Sequence, residues 1–360
     1  MWLKLSPSIF ILLLVFSGAQ STKASSPFSP KSCTSEQGQL YISEGRYDQA
    51  IREFGCVIEG SPTEVDGYRG RIEAQLLLGK YSDAVRDYTR VNAIVVPVHP
   101  DAEATILAGY ADRLDIAPDD LVALTGASFA RWWFFDYAGA IRQLSKLLSL
   151  KPDDVYGNLF RGSSSLLSGA TRARGAADLD RAIALAPQSP DVRFIVADAY
   201  TYGQPDPARA FAEASLALEW GLDTPRVHAI LASAYNSFGD LLAAATHLDR
   251  HIDLVTTQLL VGGPLVSGGA LGLDFVPGRT YEIPVEANAG QTLSIRTTSH
   301  EISDSIMVLL APDGTPVVGS DDFKKYLAGF DWVATSTGTY KLHVTTFESV
   351  STGRLFVSRN

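Results

Sequence analysis

The sequence predicts a chain in two parts, an α-solenoid of about six helical hairpins followed by an antiparallel β-sandwich. Residues 44–51 (EGRYDQAI) are echoed 34 residues later by 78–85 (LGKYSDAV) and, more loosely, by 135–141 (FDYAGAI). A fixed period of that length marks stacked helix pairs. After His251 the apolar period falls to two, through Tyr281, Ile283 and Val285 and then Leu293 and Ile295, as half-buried strands require. With 46% hydrophobic and 19% charged residues among 360, the chain has material for more than one core.

From the N-terminus, Lys4, an apolar run from Ile9 to Phe16 and small residues at Ser17 and Ala19 read as a secretory signal over residues 1–19. That run is far below the roughly 20 residues needed to span a bilayer, so no membrane span is expected after cleavage near Gln20. Residues 20–32, rich in Ser, Thr, Pro and Lys, read as a flexible tether. Cys33 and Cys56 are the only cysteines; in an exported chain they form a candidate disulfide across the first hairpin, with two buried thiols as the alternative. The net charge of −10 and the lack of a basic run argue against nucleic acid as partner.

Residues 33–254 carry the helical pattern. Gly38, Tyr41, Gly45, Tyr47, Ala50, Phe54 and Pro62 stand at the spacing of the tetratricopeptide repeat, which this region resembles. In the second unit Gly79, Tyr81, Ala84, Tyr88 and Val91 follow in register, with Ile72 where a small residue is expected. Between Ala84 and Ala140 the period breaks, and residues 101–114, between Pro100 and Pro118, read as an extra helix that kinks the stack. Tyr137, Ala140, Leu144, Leu147 and Pro152 carry the third unit; Gly162, Leu179, Ala182 and Pro187 the fourth; Ala197, Tyr200, Ala210 and Ala217 the fifth. Ala232, Tyr235, Gly239, Ala244 and Leu248 restore the pattern in the sixth.

Residues 255–264 read as a linker and 265–360 as the sandwich. There Ala289-Gly290-Gln291-Thr292-Leu293, the run from Leu309 to Gly314, Ser320-Asp321-Asp322 and Thr337-Gly338-Thr339-Tyr340 resemble the bacterial pre-peptidase C-terminal domain, a β-sandwich appended to secreted proteins.

Catalytic patterns are weak. His247 and His251, four apart on one helix face, suit a shared ion, but no third ligand is evident. Ser128 in Gly126-Ala127-Ser128-Phe129-Ala130 imitates a hydrolase elbow but falls inside a helix, where packing explains it. The acid pairs Asp119-Asp120 and Asp153-Asp154 read as helix caps. Asp304, Asp321, Asp322 and Asp331 read as solvated turn residues rather than calcium ligands. No catalytic residue, metal or cofactor is assigned.

The resemblance to tetratricopeptide repeats implies a concave groove lined by the first helix of each pair. It carries groove positions onto Gln39, Phe129, Trp132, Ser163, Asp198, Ser233 and Asn236, with Arg131 beside them in the run Arg131-Trp132-Trp133-Phe134-Phe135. Aromatic and Arg side chains dominate binding hot spots. The repeated Lys and Asn residues that hold a peptide's terminal carboxylate in some relatives are missing.

The expectation is an exported, non-enzymatic scaffold in the secreted, periplasmic or cell-envelope space, binding a protein or peptide, with a surface polysaccharide as the other polymer considered. Its rivals are a member of, or accessory to, a secreted peptidase or hydrolase system, and an architectural envelope protein whose sandwich holds wall polysaccharide.

Overall fold

Side-chain caps set the helix phasing. Thr34, Asp120, Asp136, Asp154, Ser189, Asp206 and Asp240 each accept a backbone N–H one turn into the helix that follows, satisfying donors that would otherwise be orphaned. The computed structural model describes residues 33–62, 65–91, 100–169, 172–276, 278–300, 302, 304–321, 327–346 and 353–360. The expected signal and tether, and Asp322, lie outside them.

Among the described residues thirteen α-helices precede nine strands. The hairpins are α1 (Ser35–Ser43) with α2 (Tyr47–Gly60), α3 (Val65–Leu77) with α4 (Tyr81–Val91), and α6 (Leu121–Trp133) with α7 (Tyr137–Leu150). They continue as α8 (Val155–Leu167) with α9 (Arg172–Leu185), α10 (Pro190–Asp198) with α11 (Pro207–Glu219), and α12 (Pro225–Phe238) with α13 (Leu241–Val255). The inserted helix α5 covers Pro100–Ile116, and a π-helical turn, Ala199–Gly203, ends α10. Cys33 and Cys56 are disulfide-bonded, Cα to Cα 5.9 Å.

Close approach between helices falls at glycine. A Cβ on Gly38 or Gly70 would lie 2.5 or 2.1 Å from the Phe54 ring, so α1 and α3 close on α2 from its two sides. Ile72 does not loosen α3, because Gly70 makes the approach and Ile72 is buried beside it. A Cβ on Gly126 of α6 would likewise lie 2.5 Å from Tyr110 of α5. Tyr110 thus stands to Gly126 as Phe54 stands to Gly70, and α5 takes the second-helix place before α6. This corrects the expectation for the break. A helix does cover the stretch read as extra, but the displaced one is α4, which matches the repeat pattern and yet lies in the groove.

Arginines of first helices reach acids of second helices. Arg71 meets Asp87 at 2.6 Å, Arg161 meets Asp178 at 2.7 Å and Arg193 meets Glu213 at 2.6 Å, each acid nearly buried. Removing one partner of such a pair costs about 3–5 kcal/mol, since a charge is left buried alone.

The strands are β1 (Gln258–Val261), β2 (Ala270–Phe275), β3 (Arg279–Ala287), β4 (Thr292–Thr298) and β5 (Ile306–Leu310), then β6 (Pro316–Ser320), β7 (Gly329–Val333), β8 (Gly338–Thr345) and β9 (Gly353–Arg359). They form a five-stranded sheet, β1-β3-β8-β5-β6, and a four-stranded one, β2-β9-β4-β7. The pairings are antiparallel except β1 with β3.

The expected linker at 255–264 is corrected. Helix α13 runs to Val255 and β1 joins the sheet three residues later. Strand β5 is buried along its whole length: Met307 and Leu309 enter the sandwich core, while Ile306, Val308 and Leu310 pack on Ala232, Leu248 and Ile252 of α12 and α13. Gly319 on β6 brings its backbone against Leu248, where a Cβ would come within 3.0 Å. The sandwich therefore covers the last apolar face of the solenoid, and residues 33–360 form one compact unit.

Candidate binding groove

The concave surface is built by α6, α8, α10 and α12, and α4 lies across it. The apolar face of α4 carries Tyr81, Ala84, Val85 and Tyr88 at helical spacing. Ala84 and Val85 are fully buried and Tyr88 is nearly so. The Tyr88 ring packs 4.9 Å from Trp132, 6.2 Å edge-on to Phe129 and 6.5 Å from Phe194. Tyr81 meets Tyr156 of α8 at 5.2 Å. Burying one such side chain contributes about 1.5–3 kcal/mol, and each aromatic pair about 0.5–1.5 kcal/mol beyond its area.

A polar stripe runs beside this face. Ser82 donates to Asp191 of α10, and Arg86 lies 3.3 Å from the same carboxylate, whose side chain is 2% exposed. Opposite, Asp87 takes Arg71 and Gln75 of α3, while Asp83 and Arg90 face outward. Burial drives the pKa of Tyr88 well above the usual phenol value, and the Asp198 carboxylate adds to this. Burial also pushes Tyr81 up to about 12. Both rings sit in the groove as neutral hydrogen-bonding groups.

At the sandwich end, Arg226 of α12 lies 3.1 Å from Asp198 and 4.0 Å from the centre of the Tyr202 ring. The π turn that carries Tyr202 runs hard against α8, where a Cβ on Gly203 would meet Leu166 and Leu167 backbone at 2.8 Å. Asp304 and Asp321 of the sandwich act on Tyr202 electrostatically.

The sequence-derived groove residues divide. Phe129, Trp132, Ser163 and Asp198 line the concave side but are buried there, so the open hot spot expected at Trp132 is corrected. Its indole N–H donates to Ser163 Oγ at 2.9 Å. Arg131 points the other way, pairing with Asp136 and lining a cleft of about 250 Å³ with Leu107, Tyr110, Leu114 and Gln143. Ser233 is half-buried beside Tyr200, Pro205 and Ser237. Asn236 is half-buried on the same helix, and Gln39 is exposed on α1.

Tyr88, Asp191 and Phe194 escaped the sequence reading. Tyr88 filled a packing position of the repeat, and an acid after Pro190 reads as a first-turn residue.

The other chemical candidates resolve into packing. Ser128 Oγ donates to the Leu124 carbonyl at 2.7 Å. His247 and His251 do not converge: His251 Nδ1 donates to the Pro225 carbonyl at 2.9 Å, while His247 Nδ1 lies 2.8 Å from His228 Nδ1. Asp331 is held bidentately by Arg296, away from any shared loop site. Among the described residues no three His, Cys, Asp or Glu side chains gather as metal ligands.

No family model and no curated protein matches this chain. Among solved structures, a thermophilic tetratricopeptide repeat protein of Thermus thermophilus is 21% identical over 56% of this chain and 96% of its own, with a TM-score of 0.33. A tetratricopeptide repeat protein of Parabacteroides merdae is 15% identical over 62% of this chain and 78% of its own, with a TM-score of 0.38. The pre-peptidase C-terminal domain of Bacillus anthracis collagenase is 12% identical over 29% of this chain and 95% of its own, with a TM-score of 0.24. By its own geometry the chain is a tetratricopeptide-like α-solenoid followed by a β domain.

Proposed function

We propose that this protein is an exported, non-enzymatic scaffold whose solenoid groove recognises a helical segment of a protein partner. One observation carries the reading: the concave faces of α6, α8, α10 and α12 together hold a helix, α4, through an aromatic floor and a buried carboxylate. Four helices converging on one helix make a surface for complementarity, with no nucleophile and base aligned beside it among the described residues. The Cys33–Cys56 bridge fits export, since disulfides persist in oxidising compartments. The sandwich, akin in its motifs to the pre-peptidase C-terminal domain, serves as an attachment module fixed to the end of the solenoid.

The test places a photo-crosslinking residue at Tyr202, at the groove's mouth, or at Arg181, on the second helix of the fourth hairpin, in chain expressed in its own host. Capture of one defined partner at 202 and not at 181 supports the reading. Equal capture at both, or hydrolysis of casein or glycans that is abolished by Ser128→Ala or His247→Ala, overturns it. N-terminal sequencing of chain recovered outside the cytoplasm should begin near Gln20.

A further inference from the structure

We infer that α4 is an internal ligand, and that the partner displaces it with a short amphipathic helix carrying two aromatic residues seven apart and a hydroxyl and an arginine four apart. This rests on the groove being the binding surface proposed above. The pattern is read from the seated helix. Tyr81 and Tyr88 mark the two ends of the buried face, packing on Tyr156 and on Trp132 and Phe194. Ser82 and Arg86 form the polar stripe on Asp191.

Two features favour an exchangeable ligand over a permanent part of the stack. The second-helix place that α4 would fill beside α6 is already taken by α5, through Tyr110 against Gly126. Against α3, α4 holds through Asp87 on Arg71 and Gln75, so an incoming helix must offer a carboxylate there as well. Asp191 is nearly buried yet receives its two donors from α4. An incoming helix that covered Asp191 without supplying a hydroxyl and a cation would leave a desolvated carboxylate, which is costly. The groove therefore discriminates among helices: an apolar helix without that donor pair is rejected by an unsatisfied charge. Because α4 is tethered, its local concentration is high, and a partner segment must fit better or arrive with further contacts.

The test uses a labelled peptide of residues 78–91 and the full chain. Tyr88→Ala empties the aromatic pocket of the tethered helix, and Arg86→Ala weakens its polar seat without opening a cavity. Both variants are first checked for unchanged helix content and cooperative melting. The peptide is expected to bind each variant at least ten-fold more tightly than the unaltered chain. It should lose at least ten-fold when the peptide itself carries Tyr88→Ala or Ser82→Ala. Folded variants that bind it no better than the unaltered chain overturn the inference.

A second arm locks α4 onto α3 by Arg71→Cys with Asp87→Cys, joined by a reducible bis-maleimide and leaving Asp191 in place. Loss of partner capture at position 202 in the locked chain, regained on reduction while the unaltered chain is insensitive to reductant, supports displacement. Capture that survives the lock overturns displacement but leaves the scaffold reading standing. Absence of capture in every chain defeats the scaffold reading, and the peptide titration still decides whether the groove accepts a free helix.

Discussion

His228 and His247 face each other through their Nδ1 atoms at 2.8 Å, between α12 and α13, while His228 Nε2 lies 2.9 Å from Asp223. Only one Nδ1 of the pair can carry the proton, so this arrangement requires at least one neutral ring. Burial, and then the field of His228, pushes His247 down to about 4. Burial pushes His251 down to about 4 as well, against the pull of the Pro225 carbonyl.

Acid should therefore loosen the last hairpin. Below the unfolded value of 6.5, the unfolded chain takes up protons that the folded chain refuses, so the contribution of these two histidines to stability falls as pH drops from about 6.5 to about 4 and changes no further below that. For the buried His251 the loss is on the order of 3 kcal/mol. His343 acts in the opposite sense. Burial lowers its pKa, but Asp249 and Glu282 outweigh this and raise it, so its contribution is complete below 6.5 and is lost as pH rises through the folded value. Urea midpoints at pH 7 and pH 5 measure the fall, and His247→Gln should reduce it. Equal midpoints at the two pH values contradict the account.

Tyr110 is 1% exposed, and its hydroxyl has no hydrogen-bond partner among the described residues. Tyr110→Phe removes an unsatisfied buried group while keeping the ring against Gly126, and should stabilise the chain by about 1 kcal/mol. Gly126→Leu should destabilise it strongly, because its Cβ would fall 2.5 Å from that ring. Thermal melts of the two variants must shift in opposite directions.

Trp132 and Ser163 make a buried hydrogen bond between neighbouring repeats. Ser163→Ala leaves the indole N–H unpaired and should cost about 1–3 kcal/mol. Truncation of Gln39, whose exposed side chain hydrogen-bonds Glu73, should cost less, about 0.5–1.5 kcal/mol. Chemical denaturation of both variants checks the contrast.

The Cys33–Cys56 bridge closes a loop of 23 residues, worth about 3 kcal/mol in the chain-entropy account. Thiol counting on denatured, unreduced protein should find none free. Cys33→Ser with Cys56→Ser should lower the melting temperature and expose α1 to protease first.

The seam between α13 and the sandwich should make unfolding a single event. Calorimetry of residues 33–360 is expected to show one transition, and Val308→Asp, which puts a charge against Ala232, Leu248 and Ile252, should split it into two. Two transitions in the unaltered chain would show that the seam does not couple the parts.

Much of the architecture was legible because it is local. Capping acids and the glycine–aromatic alternation place the hairpin ends, and the shift to a period of two marks the strands. The docking of the sandwich contradicts the linker expected at 255–264, and its signal lies in one strand. Ile306-Met307-Val308-Leu309-Leu310 does not alternate, and a strand apolar on both faces must be covered on both. The resemblance carried groove positions onto Phe129, Trp132, Ser163 and Asp198, which the structure buries, and no repeat position reveals what lies on top of them.

The sequence by itself determined a helical array ended by a sheet, since periodicity and turn chemistry depend on neighbours along the chain. Tertiary structure alone decided where α4 goes. Its apolar face of Tyr81, Val85 and Tyr88 is amphipathic whether it packs on the next hairpin or in the groove. The choice is made by Trp132, Tyr156, Asp191 and Phe194, residues of three later helices that meet only when the stack curves. Amphipathicity says that a face must be buried; only non-local packing says against what.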